Sequence, residues 1–151
     1  MSYLSEIESP ADLKRLAPAE LPRLCAEIRD VLIRAVTEKG GHFGSNLGVV
    51  ELTVALHYVF RSPDDRIVFD VSHQCYTHKI LTGRKAKFLD LLRWHDYTGY
   101  SNPAESEHDH FLVGHTSTAV GLALGLAKAR TVRGLSHHVI ALVGDGALSC
   151  L

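Results

Sequence analysis

The chain has 151 residues, 46% of them hydrophobic and 22% charged, proportions that exclude a disordered or collagen-like chain. Sixteen Lys and Arg against seventeen Asp and Glu leave a formal charge of −1, which argues against a nucleic-acid footprint or an electrostatically held membrane protein. A domain of this size buries roughly 70% of its unfolded surface, enough for a core without disulfides.

The N-terminus has no basic start followed by an apolar run, so no signal peptide is visible. A first short helix is predicted over residues 9–16, with Ser9 as N-cap, Pro10 at the first helical position and Asp12 closing a capping-box-like start. A longer helix follows over about 18–39. Leu21, Leu24, Ile28, Val31, Leu32, Ala35 and Val36 recur at the spacing of one buried face, and Gly40-Gly41 stops it. After the polar turn HFGSNLG, residues 49–60 form a helix apolar nearly all round, expected to be buried on several sides.

Ser62-Pro63-Asp64-Asp65 is turn chemistry. Residues 67–71 read as a strand, followed by Ser72-His73-Gln74 and a helix stopped near Gly83. Another helix is predicted over 84–93, then an ordered surface loop over 94–110. Gly114-His115-Thr116-Ser117 opens a helix over 118–130, a position whose backbone N–H groups favour an anion such as phosphate. Gly121 and Gly125 in that helix suggest close packing against a neighbour. Residues 139–143 form a second strand that runs into Gly144-Asp145-Gly146-Ala147. No segment reaches the ~20 apolar residues of a membrane span.

Helices alternating with apolar strands imply a parallel α/β sheet, whose ligands bind outside the carboxyl ends of the strands. The polar clusters at those ends suggest a diphosphate with a metal. Asp145 offers a hard carboxylate oxygen to Mg²⁺, His73 and the 114–117 turn offer donors to phosphate, and His42 is placed for acid–base work. Each cluster also has a plain structural reading, as a tight turn, a satisfied strand-end histidine or a helix cap. His57 reads as a core or rim residue, His137-His138 as a solvent-facing lead-in to the strand, and Cys75 as a buried thiol. His108-Asp109-His110 lacks the spacing of a zinc site. Cys25, Cys75 and Cys150 cannot all pair, which implies a reducing, cytoplasmic setting.

The segments GGHFGSNLGVVELTVALHYVF, FDVSHQCYTHKILTGRK, VGHTSTAVGLALGLAKA and VIALVGDGAL resemble, in order and spacing, the 1-deoxy-D-xylulose-5-phosphate synthase family. That family is a thiamine-diphosphate-dependent branch of the transketolase superfamily. The resemblance covers about residues 9–148. It implies a partial thiamine-diphosphate-binding α/β domain over 1–151, helix-rich and ending after the GDG strand. By resemblance, His73, Gly114, His115, Thr116, Gly146 and Ala147 face the cofactor, Asp145 binds Mg²⁺, and His42 is the catalytic histidine. The family joins pyruvate, after loss of CO₂, to glyceraldehyde 3-phosphate, and superfamily members usually form homodimers.

Four features depart from the family pattern. Ser72 stands where glycine is usual, Thr116 where a serine is usual, the segment 98–103 differs, and Cys150-Leu151 replaces Gly-Gly. The remaining domains and the second metal ligand have no counterpart here, so the chain reads as the N-terminal piece of a longer enzyme. A transketolase-like paralog moving a two-carbon unit, or an inactive fragment acting only by association, are the alternatives.

Overall fold

The computed structural model describes residues 2–149; the expectations attached to Cys150 and Leu151 lie outside the described residues. The chain divides into two compact units, Met1–Val59 with Gln74–Gly99, and Phe60–His73 with Tyr100–Leu151.

The first unit is helical. It contains α1 (Tyr3–Glu6), α2 (Pro10–Leu13), α3 (Leu21–Lys39), α4 (Gly44–Leu47), α5 (Val50–Val59), α6 (Tyr76–Lys79) and α7 (Ala86–Leu89). Helix α2 starts as expected: the Asp12 carboxylate accepts from the Ser9 N–H at 2.9 Å and from its hydroxyl at 2.8 Å. The apolar stripe of α3 buries Leu24, Ile28, Leu32, Ala35 and Val36, and the helix ends where Gly40 (φ 81) and Gly41 (φ 126) leave right-handed geometry. Gly83 (φ 84) likewise ends the turn that follows α6.

Two expectations are corrected in this unit. Helix α5 is not buried on several sides. Val50, Thr53, Val54 and His57 are buried, but Leu52 and Val59 are 50% and 67% exposed, because its neighbours cover one face only. The predicted 84–93 helix is broken at Asp90, whose extended backbone (φ −111, ψ 101) separates α7 from a 3₁₀ turn over Leu91–Arg93. The Asp90 carboxylate accepts the Leu92 N–H at 3.1 Å and caps that turn.

The second unit holds the strands β1 (Arg66–Phe69) and β2 (Val139–Leu142), the helix α8 (Ala119–Val132), and the single-turn helix α9 (Asp145–Leu148). The strands pair in parallel from Arg66↔Val139 to Phe69↔Leu142, a two-stranded sheet among the described residues. Helix α8 is the crossover. Its Ala119 and Ala123 pack on Val68, with Phe111, Leu122, Leu126, Val139 and Ala141 around them. Small residues on this face let the helix lie close to the sheet. Gly121 and Gly125 do not take part: a Cβ at either would meet nothing within 4 Å, and Leu124 beside them is 62% exposed. The expected close neighbour of those glycines is absent from the described residues.

Strand β1 ends two residues earlier than the β-branched and aromatic run over 67–71 suggests. Val71 (φ 57) and Ser72 (φ 69) both take the left-handed region that L-residues avoid. What holds them there is the chemistry at Asp70.

Candidate functional site

Asp70 follows the last residue of β1, is 1% exposed, and continues the sheet by donating its N–H to the Leu142 carbonyl at 2.9 Å. Its carboxylate caps α8. One oxygen accepts the N–H groups of Thr118 and Ala119 at 2.8 and 3.0 Å, and the other accepts the Ser117 N–H at 2.9 Å and the Thr116 hydroxyl at 3.4 Å. A helix start leaves its first N–H groups without intrahelical partners and carries partial positive charge. A buried carboxylate satisfies both. Burial pushes the Asp70 carboxyl pKa up, but the donors from Ala119, Ser117 and Thr118 outweigh it and hold the group below the usual carboxylate range.

The chain's own Asp70 carboxylate thus occupies the inner part of this helix start. The N–H groups of residues 117–119 are taken, so an external anion would meet only the outer part of the turn, Gly114, His115 and Thr116. Those residues are exposed, and a Cβ at Gly114 would meet nothing within 4 Å. His115 Nδ1 lies 2.8 Å from the Thr116 carbonyl. A carbonyl only accepts, so Nδ1 carries the proton, and a neutral His115 presents Nε2 as an acceptor. It donates to a phosphate only once protonated.

Ser72 and His73 come next along β1. Ser72 is fully buried; its hydroxyl donates to the Val113 carbonyl at 3.1 Å and accepts the Ser101 N–H at 3.0 Å. A serine thus stands at a positive φ, at a position where the family resemblance expects glycine, and its hydrogen bonds hold it there. They also tie down the chain on either side of the loop at 102–110, where the Asp109 carboxylate accepts the Asn102 N–H at 2.7 Å. His73 is half-buried.

The carboxyl end of β2 is open by comparison. Gly144 is the N-cap of α9, and Asp145 starts it. Asp145 is exposed, and among the described residues no donor reaches its carboxylate. A Cβ at Gly144 or Gly146 would meet nothing within 4 Å. The Ser117 hydroxyl donates to the Ala147 carbonyl at 3.1 Å, which brings the 114–117 turn and the 144–147 turn side by side. Among the described residues no group of three or more His, Cys, Asp or Glu side chains is placed to hold a metal.

His42 belongs to the first unit, just before α4. Its backbone N–H and its Nδ1 both lie 3.4 Å from the Tyr76 hydroxyl. Asn46, 1% exposed, accepts the Tyr76 N–H at 2.9 Å and donates to the His42 carbonyl at 2.7 Å. A Cβ at Gly41 would stand 2.8 Å from the Tyr76 hydroxyl, so glycine there is required both by its φ and by the tyrosine. The sequence places Asn46 within the polar turn after α3 but assigns it no role, and it does not single out Tyr76 or Asp70. For Asp70 the sequence shows an acid directly after a strand, with nothing in its spacing that ties it to the helix start at 116–119.

Two parallel strands bridged by a crossover helix, with polar turns at their carboxyl ends, define an α/β unit, and in open α/β sheets ligands lie at those ends. The chain belongs to the 1-deoxy-D-xylulose-5-phosphate synthase family, whose profile matches residues 4–150. It is 53% identical over 146 residues to the enzyme of that name from Dictyoglomus turgidum, covering 97% of this chain and 24% of that protein. Against the Desulforudis audaxviator synthase the identity is 54% over 149 residues, 99% of this chain and 24% of that protein. Against the Dictyoglomus thermophilum synthase it is 55% over 146 residues, 97% and 24%. The chain thus spans about a quarter of the length of these relatives. No helix of the described residues is long and apolar enough to cross a membrane.

Proposed function

We propose that this chain is the part of a 1-deoxy-D-xylulose-5-phosphate synthase that holds the diphosphate and metal of thiamine diphosphate. The whole enzyme is a transferase that joins pyruvate, with loss of CO₂, to glyceraldehyde 3-phosphate. The observation that carries this reading is Asp145. In a chain of this family, it is an exposed carboxylate that no donor of the described residues reaches, at a strand end between two glycines with open space around them.

The donor set fits the group. A carboxylate oxygen is a hard ligand suited to Mg²⁺, and Asp145 supplies one of the roughly six oxygens that ion takes. Gly114 and Thr116 offer backbone N–H groups to diphosphate oxygens, Gly146 and Ala147 line the turn beside them, and His73 and protonated His115 add ring N–H donors. When bound, thiamine diphosphate supplies a carbanion-stabilising centre for decarboxylation and carbon–carbon bond formation. His42 moves protons to and from substrate oxygen, with Tyr76 and Asn46 fixing its backbone and ring. The parent enzyme is read as a homodimer, which the exposed Val120, Leu124 and Val132 of α8 support, and as cytoplasmic, from cysteines Cys25 and Cys75 that stand as free thiols.

The test is a chimera in which this chain replaces the matching quarter of the Dictyoglomus thermophilum synthase. It should form 1-deoxy-D-xylulose 5-phosphate from pyruvate and glyceraldehyde 3-phosphate. Asp145→Ala should abolish Mg²⁺-dependent cofactor binding, and His42→Ala should lower kcat while cofactor binding is kept. A folded chimera that uses ketose phosphates in place of pyruvate would replace this reading with two-carbon transfer.

A further inference from the structure

The amino ends of the strands carry a second feature of the second unit, a cavity of about 620 Å³, within the range of small-molecule sites. Three arginines line it. Arg66 is the first residue of β1, Arg130 lies in the last turn of α8, and Arg133 is its C-cap. The three-residue spacing puts Arg130 and Arg133 on one side of the helix. Two are held in place: Arg130 Nη1 donates to the His137 carbonyl at 3.0 Å, and Arg66 Nη1 donates to His110 Nδ1 at 3.3 Å.

None of the three is ion-paired with a carboxylate among the described residues, and Asp64 is the one acid in the lining. Arginine does not lose its proton in a protein. The cavity therefore carries a permanent surplus of two positive charges. Cations in a last helical turn complement the helix dipole, which accounts for Arg130 and Arg133 alone. It does not explain why Arg66 joins them from the sheet. Phe111, Leu126 and Leu135 supply an apolar part to the same wall.

We propose that this cavity binds a small organic phosphate, its dianion on the three guanidinium groups and its apolar body against Phe111 and Leu126. The surplus charge matches a phosphate dianion, and the planar guanidinium fork matches its oxygens. The assignment does not rest on the cofactor reading, whose residues occupy the carboxyl ends of the strands.

Phenyl phosphate is the probe, titrated into the full chain and followed by amide NMR shifts. Saturable shifts centred on residues 133–137 are expected, with a dissociation constant of about 1 mM or tighter. Inorganic phosphate should bind about tenfold more weakly for want of the apolar contact. Arg133→Gln, at an exposed helix end, should weaken phenyl phosphate about tenfold, and Arg66→Gln should do the same. Asp145→Asn should leave it unchanged. The proposal is overturned by non-saturating shifts, by equal affinity for inorganic phosphate, or by affinity indifferent to both arginine variants. Shifts centred on residues 144–147 and abolished by Asp145→Asn would also overturn it, and would assign the anion to the cofactor turn.

Discussion

The two parallel strands end in the same way on paper, each running from apolar residues into an aspartate. Their aspartates have opposite fates. Asp70 is buried and accepts hydrogen bonds from four donors of residues 116–119. Asp145, after the neighbouring strand, is exposed and receives none from the described residues. The difference is one of chain geometry. Strand β1 leads into two residues at positive φ, which turn the backbone away and leave the Asp70 side chain under the start of α8. Gly144 instead has an extended backbone (φ −70, ψ 148) and starts a new helical turn at Asp145. One carboxylate completes the fold; the other is the one we propose for the metal.

The widest separation should appear on deletion. Asp70→Ala leaves three N–H groups at the start of α8 without an acceptor, and a buried orphan donor costs about 1–3 kcal/mol. A loss of about 3–4 kcal/mol in chemical denaturation is expected. Asp145→Ala should stay within about 0.5 kcal/mol, as for an exposed site with no partner. Equal losses for the two variants would erase the distinction between them.

Acid should unfold the protein through the same asymmetry. The carboxyl pKa of Asp70 is lowered in the folded state, as is that of Asp65, where burial raises it and the Arg61 and His138 N–H groups outweigh burial. A lowered folded pKa gives stability that is present above the unfolded value, about 3.9, and is lost as pH falls through the folded one. Melting temperature should therefore hold above about pH 5 and fall steadily below pH 4. Asp70→Asn should flatten that fall, and Asp145→Asn should leave its slope as it is.

Ser72 sharpens the picture of β1's end as a built structure. Ser72→Ala keeps a side chain at φ 69 and forfeits both hydroxyl bonds, for an expected loss of about 1–2 kcal/mol. Ser72→Gly forfeits the same bonds but removes a left-handed cost of roughly 1–2 kcal/mol. The glycine variant should melt above the alanine variant. The reverse order would mean that the left-handed backbone at residue 72 carries no cost that glycine relieves.

These contrasts also mark how far the sequence could be read. The helical stripe of α3, the stops at Gly40-Gly41 and Gly83, and the parallel α/β character are local or periodic, and they were visible. So was the burial of His57, which pairs with His78 at 2.9 Å. The break at Asp90 and the short β1 were not, because each turns on one side chain capping a neighbouring or distant segment. In VFDVSHQ, the histidine drew attention as a chemical group, while Asp70 looked like an ordinary strand-end acid. The structure gives that acid partners 46 to 49 residues away, a distance over which no spacing rule operates. The exposed sides of α5 and α8 show a related limit: an apolar pattern states that a face needs cover and is silent on what provides it.

The smallest expected effect lies where the two strand ends touch. Ser117 sits at φ 63, gives its N–H to Asp70 and its hydroxyl to the Ala147 carbonyl at 3.1 Å. It therefore links the closed end, through Asp70, to the open end, through Ala147. Ser117→Ala removes only the second contact, a part-buried bond worth about 0.5–1.5 kcal/mol. Its local consequence should exceed its global one. The turn at 144–147 has exposed glycines and few packed side chains, so loss of the bond should let it open more often while β1 and α8 stay intact. Hydrogen exchange at Ala147 and Leu148, whose N–H groups bond to the Gly144 carbonyl, should quicken by about the factor that 0.5–1.5 kcal/mol implies, roughly twofold to tenfold. Exchange at Leu122, in the first turns of α8, should not change. Matching acceleration at both places would mean that the open end is not separately mobile, and that the two strand ends rise and fall as one.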